Sequence, residues 1–550
     1  MTSHVALLMV GWIMASEPAR DSQTVLYTNA NVVTLDPAQP RAAAILVEGD
    51  RIKRVYAQAP AERPAAAVVI DLAGATVVPG LVDAHLHLDG LGSKQREVDL
   101  VGTTSAADAV ARLRAYLEAN PGDGPVVGFG WDQNDWARKE YPDQGSLDAV
   151  AGQRPVVLYR IDGHAAWVST AALALGGVGR GSKDPSGGKI VRAASGEPSG
   201  ILIDHAIDLV ANQLPAPSRE QLENDYAAAT TRCAAVGLTA VHDMGMTRAG
   251  LEALRALEQR GALPVRVFAY LIADEPAAID QLPPTGPRRS NGLIEVRGIK
   301  LFADGALGSR GAALKQPYSD DPKNSGLLVT EPKLLAELVW RVDQRKHQVA
   351  IHAIGDRANQ IAIEALAALG TGTSDRRHRI EHVQVIDPHD LPAFAKLGIV
   401  ASMQPTHATS DMPWAEARLG KQRLAGAYAW RSLLDSGAHL TFGSDAPVES
   451  VDPLWGLFAA VNRTDHQRHP TGGWRPEQKV DRRSALAAYT TGAAYAVKRE
   501  DELGQIKAGY LADLTVLDHD PTADKTDLLG LKVQRTIVGG REVVGPRAGE

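Results

Sequence analysis

From residue 80 to residue 447 the chain alternates two patterns. Short apolar runs are followed by stretches in which apolar residues recur at three and four, as a helix face needs. Eight of the runs read as strands: GLVDAHLH (80–87), LTAVHDMG (238–245), VRVFAYL (265–271), GIKLFADG (298–305), QVAIHAIG (348–355), HRIEHVQ (378–384), GIVASMQP (398–405) and HLTFGSDAP (439–447). Helical patterns separate most of them, as in EPKLLAELVWRVDQRK (331–346) and RANQIAIEALAALG (357–370). Eight parallel strands with intervening helices predict an α/β fold, a (β/α)8 TIM barrel over residues 80–499. The gap between the first and second runs is very long. It holds GPVVGFGWDQNDW and RPVVLYRIDGHAAWVS, so residues 95–225 are expected to form an insertion over the barrel mouth.

The two ends have a different texture. TVLYTNANVVTLD, AAAILVEGDRIKRVYA and AAVVIDLAGATVVPG near the start, and GQIKAGYLADLTVLDHDP and VQRTIVGGREVV near the end, read as short strands punctuated by turns. They predict one small composite β-sandwich from residues 23–79 and 500–550. Before it, VALLMVGWIMA (5–15) has the length of a signal-peptide core, and Ile13 and Ala15 suit a cleavage site, although no Lys or Arg precedes it. Residues 1–22 are therefore expected to be a signal peptide or a flexible terminus. The expected location is periplasmic or extracellular, with the cytoplasm as the alternative. No other stretch approaches a membrane span.

Composition narrows the chemistry. A net charge of −7 over 550 residues lacks the basic footprint of a nucleic-acid binder. Cys233 is the one cysteine, which excludes an internal disulfide and a thiolate metal cluster. A metal site would have to use His, Asp, Glu or a modified Lys.

The histidines can now be placed on the predicted barrel. His85 and His87 are two apart and so point to one side of a strand. They close the first strand; Lys300 lies in the fourth, His352 in the fifth, His382 in the sixth, and Asp445 closes the eighth. Each alone has an ordinary alternative: a hydrogen-bonded core histidine, an ion-paired lysine, a turn-capping aspartate. Together they converge on the mouth where barrels of this kind carry their chemistry.

VVPGLVDAHLH, GIKLFADGALGSRGA, VAIHAIGD, RIEHVQ and FGSDAPVE resemble the amidohydrolase superfamily, and more narrowly its branch that includes N-substituted formamide deformylases (amidohydrolase family 3). DGHAAWVS (162–169) and MQPTHATSDMPWAEARLG (403–420) also fit this branch, except that its usual Asn after WV is Ser169 here. The resemblance runs from about residue 24 to 545. It implies two divalent metal ions, Zn²⁺ first with Mn²⁺ or Fe²⁺ as alternatives. His85, His87 and Asp445 would hold one ion and His352 and His382 the other, bridged by an N6-carboxylated Lys300; the alternative is an unmodified lysine beside one ion.

A metal-bound water that loses its proton near neutral pH can attack a carbonyl carbon. Asp445 could take that proton and deliver it to the leaving nitrogen. The implied reaction is hydrolysis of a non-peptide carbon–nitrogen bond in a small amide or formamide. An esterase, lactonase or carbamate hydrolase on the same centre is the alternative, and a non-catalytic barrel used for assembly is a remote one. A ring deaminase is disfavoured because no H-x-x-E pair stands near the fifth strand. His164 is a candidate catalytic contact from the insertion, or a structural turn histidine. Asp304, Ser309 and Arg310 follow Lys300 and are candidates to line the pocket, and Gln404 and His407 could touch substrate. Asp356 is equally suited to anchoring a helix. Trp131, Trp136 and Trp414 either wall an apolar pocket or pack in a core. Many members of the superfamily are dimers, which makes a homodimer one assembly the resemblance allows, while the sequence leaves the oligomeric state open.

Overall fold

The first barrel strand, Leu81–Leu86, pairs in parallel with Leu238–Met246, and the sheet continues in chain order through Arg266–Ile272, Ile294–Phe302, Gln348–Ala353, Arg379–His382, Val400–Met403 and His439–Phe442. The computed structural model that shows this describes residues 23–62, 64, 67–273, 276–282, 292–370 and 374–545. The expected signal peptide at 1–22, and the export it implies, lie outside these residues. The sheet closes just beyond its last strand, where Asp445 N–H donates to the His85 carbonyl (2.6 Å) and His87 N–H to that of Ala446 (2.8 Å). Strands such as Gln348–Ala353 are buried at every position, as parallel strands covered by helices should be. The covering helices bury one stripe each. Pro332–Gln344 turns Leu335, Leu338, Val339 and Val342 inward, and Arg248–Gln259, capped by the Thr247 hydroxyl, turns in Leu251, Leu254 and Leu257.

Several strands stop earlier than their apolar runs suggest, and the reason lies in the backbone. The sixth ends at His382 (φ 73°) and Val383 (φ 45°), and the segment after the eighth reaches Asp445 at φ 60°. These left-handed turns leave the strand direction where the polar side chains project. At Gly443 a Cβ would stand 2.4 Å from the His85 nitrogen, so the chain can pass there only without a side chain.

Between the first and second barrel strands lies a separate six-stranded sheet, ordered Gly188–Arg192, Pro198–Asp204, Ala165–Val168, Val156–Arg160, Val126–Trp131 and Val98–Asp99. Trp131, Trp136 and Trp167 pack in its core, so packing is the outcome for the first two; Trp414 lines the cavity described below. The expected boundary at residue 225 needs correcting. It falls inside the helix Arg219–Ala235, whose Tyr226, Ala229, Cys233 and Ala234 belong to the barrel's apolar cluster. Ser169 Oγ caps the helix Thr170–Leu175 and accepts from Val156 N–H, a structural duty.

Two further sheets come from the chain ends. One has four strands, Arg51–Tyr56, Ala44–Glu48, Thr24–Thr28 and Val68–Asp71. The other has six, Arg541–Val544, Val533–Val538, Leu514–Leu517, Thr76–Pro79, Asn31–Val33 and Arg41–Ala42. They share one core, including Val25, Ile45, Val77, Leu514 and Ile537, and form a sandwich. Leu514–Leu517 pairs antiparallel with Thr76–Pro79, which leads through Gly80 into the first barrel strand. A buried Arg266–Asp513 ion pair (2.6 and 3.0 Å) ties the barrel to the sandwich. Among the described residues no helix is long and apolar enough to cross a membrane.

Candidate metal centre

The strand ends bring four histidine rings and one carboxylate into a chain of contacts. Asp445 Oδ1 lies 3.3 Å from His85 Nε2 and 3.1 Å from His87 Nε2, and its Oδ2 lies 3.9 Å from His382 Nδ1. The His85 and His382 rings are 4.7 Å apart and those of His382 and His352 4.6 Å apart. Lys300 Nζ stands 3.5 Å from His85 Nε2. All are buried except His87, whose side chain is 30% exposed. His85, His382 and Asp445 can each offer a ligand atom within 4.8 Å of the others.

Whether this set suits a cation can be read from where its protons go. His85 Nδ1 faces the Glu381 carboxylate at 2.6 Å, and a carboxylate accepts only, so Nδ1 carries the hydrogen. His85 Nε2 is then a lone pair, and it faces the acceptor Asp445 Oδ1. In the same way His382 Nδ1 donates to Gln404 Oε1 (2.9 Å), which leaves its Nε2 as a lone pair. The His85 lone pair and a carboxylate oxygen facing each other with no proton between them suit a cation, and orientation of the far ring nitrogen by a hydrogen bond is how metal-binding histidines are set. Burial pushes His85, His352 and His382 below the usual histidine range, towards the neutral form that a metal ligand needs. Burial also opposes the charge on Asp445, yet the surrounding histidines hold its carboxyl well below the ordinary range. Lys300 is pushed down by burial to about 8.

Above this cluster opens a cavity of about 910 Å³, lined by His87, Lys300, His352, His382, His407 and Asp445 from the barrel and by Arg160 and His164 from the insertion, among others. The His164 ring lies 4.9 Å from that of His352, tilted by 44°, and its Nδ1 lies 2.6 Å from Asp204 Oδ1. Burial disfavours its charge, but Asp204 outweighs this and lifts it to about 9. The insertion therefore sets a cationic imidazole, held by a carboxylate, over the barrel strand ends.

The other candidates divide. His407 lines the cavity, with Nε2 3.6 Å from Asp445 Oδ2. Gln404 does not line it; its carbonyl oxygen fixes His382 instead. Asp304 is also absent from the lining. Its oxygens accept from the backbone N–H of Ala313, Ile354 and Gly355, which ties its own loop to the one after the fifth barrel strand, and Oδ1 stands 3.5 Å from His352 Nε2. Arg310 is turned to Asp320 (3.0 Å) and Ser309 bonds within its own loop. Asp356 opens the helix Asp356–Ala367 and accepts from Lys315 N–H.

Three residues not singled out from the sequence support the centre. Glu381 and Arg379, two apart in the sixth strand, share its face and are fully buried. Arg379 also donates to Ser402 Oγ (2.6 Å) and the Ala84 carbonyl (2.7 Å) and meets His242 Nδ1 at 3.0 Å, so His242 belongs to this network. Asp83 accepts from His85 N–H (3.0 Å), Ser444 N–H (3.0 Å) and Ser444 Oγ (2.5 Å), which locks the first strand to the segment carrying Asp445. The signal was present: two opposite charges at i and i+2 in an apolar run must be paired if the run is buried. Glu381→Gln keeps an acceptor for His85 but removes the charge. It is expected to weaken metal binding by about 10- to 100-fold, measured by competition with a chelating dye on protein whose circular dichroism is unchanged.

The comparisons with known proteins agree with this geometry. The amidohydrolase family profile matches residues 68–544. The chain is 34% identical over 500 residues to YtcJ of Bacillus subtilis (strain 168), covering 90% of this chain and 92% of that one. It is 29% identical over 538 residues to the N-substituted formamide deformylase of Arthrobacter pascens, covering 94% and 97%. Among solved structures, an uncharacterized metal-dependent hydrolase from Pyrococcus horikoshii OT3 superposes with a TM-score of 0.74 at 29% identity, over 92% of this chain and 99% of that one. With its barrel, its His/His/Asp cluster and a family match over most of its length, this chain belongs to the amidohydrolase family.

Proposed function

We propose that the protein hydrolyses a non-peptide carbon–nitrogen bond in a small amide or formamide. The observation that carries this reading is the buried lone pair of His85 Nε2 turned towards Asp445 Oδ1, with a ligand atom of His382 within 4.8 Å of both. Divalent ions held by His85, His87, His352, His382 and Asp445, with Lys300 carboxylated between them, would supply Lewis acidity toward a carbonyl oxygen and lower the pKa of a water. The donors are nitrogen and oxygen with no thiolate, which favours Zn²⁺ with Mn²⁺ or Fe²⁺ next.

The chain's own groups do the rest. Asp445, anionic at neutral pH, takes a proton from the attacking water and passes it to the leaving nitrogen, which departs poorly as an anion. His164 reaches over from the insertion with Nδ1 committed to Asp204, so its Nε2–H is the donor left for the developing oxyanion. Burial of the cluster strengthens both interactions by excluding water. The relative named as an N-substituted formamide deformylase favours a formamide within the wider amide class.

A substrate panel tests the reading. N-alkylformamides, the matching acetamides, an alkyl formate and a lactone are offered to the purified protein, and formate, acetate and amine release are followed. Cleavage of formamides ahead of the two oxygen esters is expected. Cleavage of the esters alone would replace this reading with an esterase or lactonase on the same centre.

A further inference from the structure

The motif MQPTHATSDMPW puts His407 and Asp411 one turn apart on the helix Pro405–Asp411, which follows the seventh barrel strand. Both meet Gln384, two residues beyond His382 at the end of the sixth. Gln384 Nε2 stands 3.3 Å from Asp411 Oδ2 and 3.2 Å from His407 Nδ1. A carboxylate oxygen accepts, so the amide turns its NH2 to this side, and its second hydrogen falls on His407 Nδ1. His407 then carries its own hydrogen on Nε2. Tyr428 steadies the arrangement twice: its hydroxyl donates to the same Asp411 oxygen (2.5 Å), and its backbone N–H donates to the Gln384 carbonyl (2.7 Å).

The hydrogen set in this way has one acceptor in front of it. His407 is 6% exposed, and its Nε2 has no hydrogen-bond partner among the described residues. It faces Asp445 Oδ2 at 3.6 Å. A shift of about 0.6 Å brings the two to ordinary hydrogen-bond length, and a buried donor left unpaired is costly. The two oxygens of Asp445 therefore have unlike neighbours. Oδ1 faces His85 Nε2, a lone pair, and His87 Nε2. Oδ2 faces a hydrogen on His407, while the more distant His382 Nδ1 (3.9 Å) is committed to Gln404.

We propose that His407 is the positioning residue of Asp445: its Nε2–H donates to Oδ2 and fixes the rotation of the carboxylate, so that Oδ1 is left to the cation and Oδ2 to the proton. Gln384, held by Asp411 and Tyr428, sets the tautomer of His407 from behind. A hydrogen bond to a carboxylate is stronger than one between neutral groups, which suits it to holding a side chain that must act in one orientation. The effect on turnover rests on the amide-hydrolase reading; the hydrogen bond itself does not.

Two measurements on the full-length protein test it. The first needs no turnover. In nuclear magnetic resonance of zinc-loaded and of metal-free protein, labelled at the histidine nitrogens, the His407 signals are those missing from His407→Gln. The tautomer with its hydrogen on Nε2 is expected. Asp445→Asn, which removes the charge of the acceptor, is expected to move that proton signal upfield when metal-free samples are compared. A hydrogen on Nδ1, or an Nε2–H signal that Asp445→Asn leaves in place, overturns the proposal whatever is hydrolysed. The second measurement is kinetic, on zinc-loaded protein with the formamide that the parent cleaves fastest. His407→Leu, which has no donor, is expected to lower kcat about 10- to 100-fold, with KM within about threefold of the parent and metal content unchanged. His407→Gln, whose amide can donate, is expected to recover most of that loss, and Gln384→Leu, which keeps the ring but frees its tautomer, to fall between the two. A raised KM at unchanged kcat would make His407 a substrate contact, and equal losses in His407→Leu and His407→Gln would make it a packing residue; either overturns the proposal. The expected signals with no formamide cleaved by the parent uphold the hydrogen bond and reject the hydrolase reading instead.

Discussion

Asp445→Asn is expected to lower kcat by about 10³- to 10⁴-fold, the full contribution of a general acid–base group. The substitution preserves shape. The backbone N–H of residue 445, which closes the barrel onto His85, is untouched, so the fold should survive. What is lost is charge and basicity at the two oxygens, one facing His85 and His87 and the other facing His407 and His382. Metal content of the variant separates the two duties assigned to this side chain. Activity lost with metal retained isolates the proton transfer; activity and metal lost together make Asp445 a ligand above all. Turnover within tenfold of the parent, on protein of unchanged circular dichroism, would sink the mechanism.

Chelation should have an equally large effect. Prolonged exposure to a strong chelator is expected to abolish turnover, and adding Zn²⁺ back to restore it. Elemental analysis of the untreated protein should give about two ions per chain if Lys300 is the bridge proposed here. A free ammonium on Lys300, 3.5 Å from a histidine lone pair, would repel both ions. The buried amine pushed down to about 8 is the form that can add carbon dioxide. One ion per chain would point to a single-ion site with an unmodified lysine. No metal, and no recovery on adding it, would bring forward the non-catalytic barrel. The apparent melting temperature should also fall on chelation, since an ion bound only by the folded chain stabilises it.

The barrel was legible because its strands are apolar runs separated by helices of regular period. The pattern placed His85, His87, Lys300, His352, His382 and Asp445 on strands whose ends meet at one mouth, and the family resemblance made them a ligand set. Contacts made across the mouth were not legible. Asp304 sits four residues after Lys300, which suggests a pocket residue, but its oxygens are used by three backbone amides, one in its own loop and two after the fifth strand. Gln404 faces a histidine instead of the cavity for a similar reason. Asp204, which orients His164 from forty residues away, carries no local signal at all. Such partners depend on where the insertion comes down, and period does not encode that. The Arg379–Glu381 pair is different: a buried strand with two opposite charges on one face announces a network, and only its target was hidden.

The sandwich built from both chain ends bears on synthesis at the ribosome. Strand Thr76–Pro79 runs straight into the first barrel strand, yet its partner Leu514–Leu517 is more than 430 residues away. At about 5–20 residues per second, roughly 20–90 s separate the two during translation. Throughout that interval the early strands expose unpaired edges, the feature that invites pairing with other nascent chains. Arg266 likewise waits for Asp513. The eight barrel strands all lie before Leu514, so the sandwich can close only after the whole barrel sequence has been made.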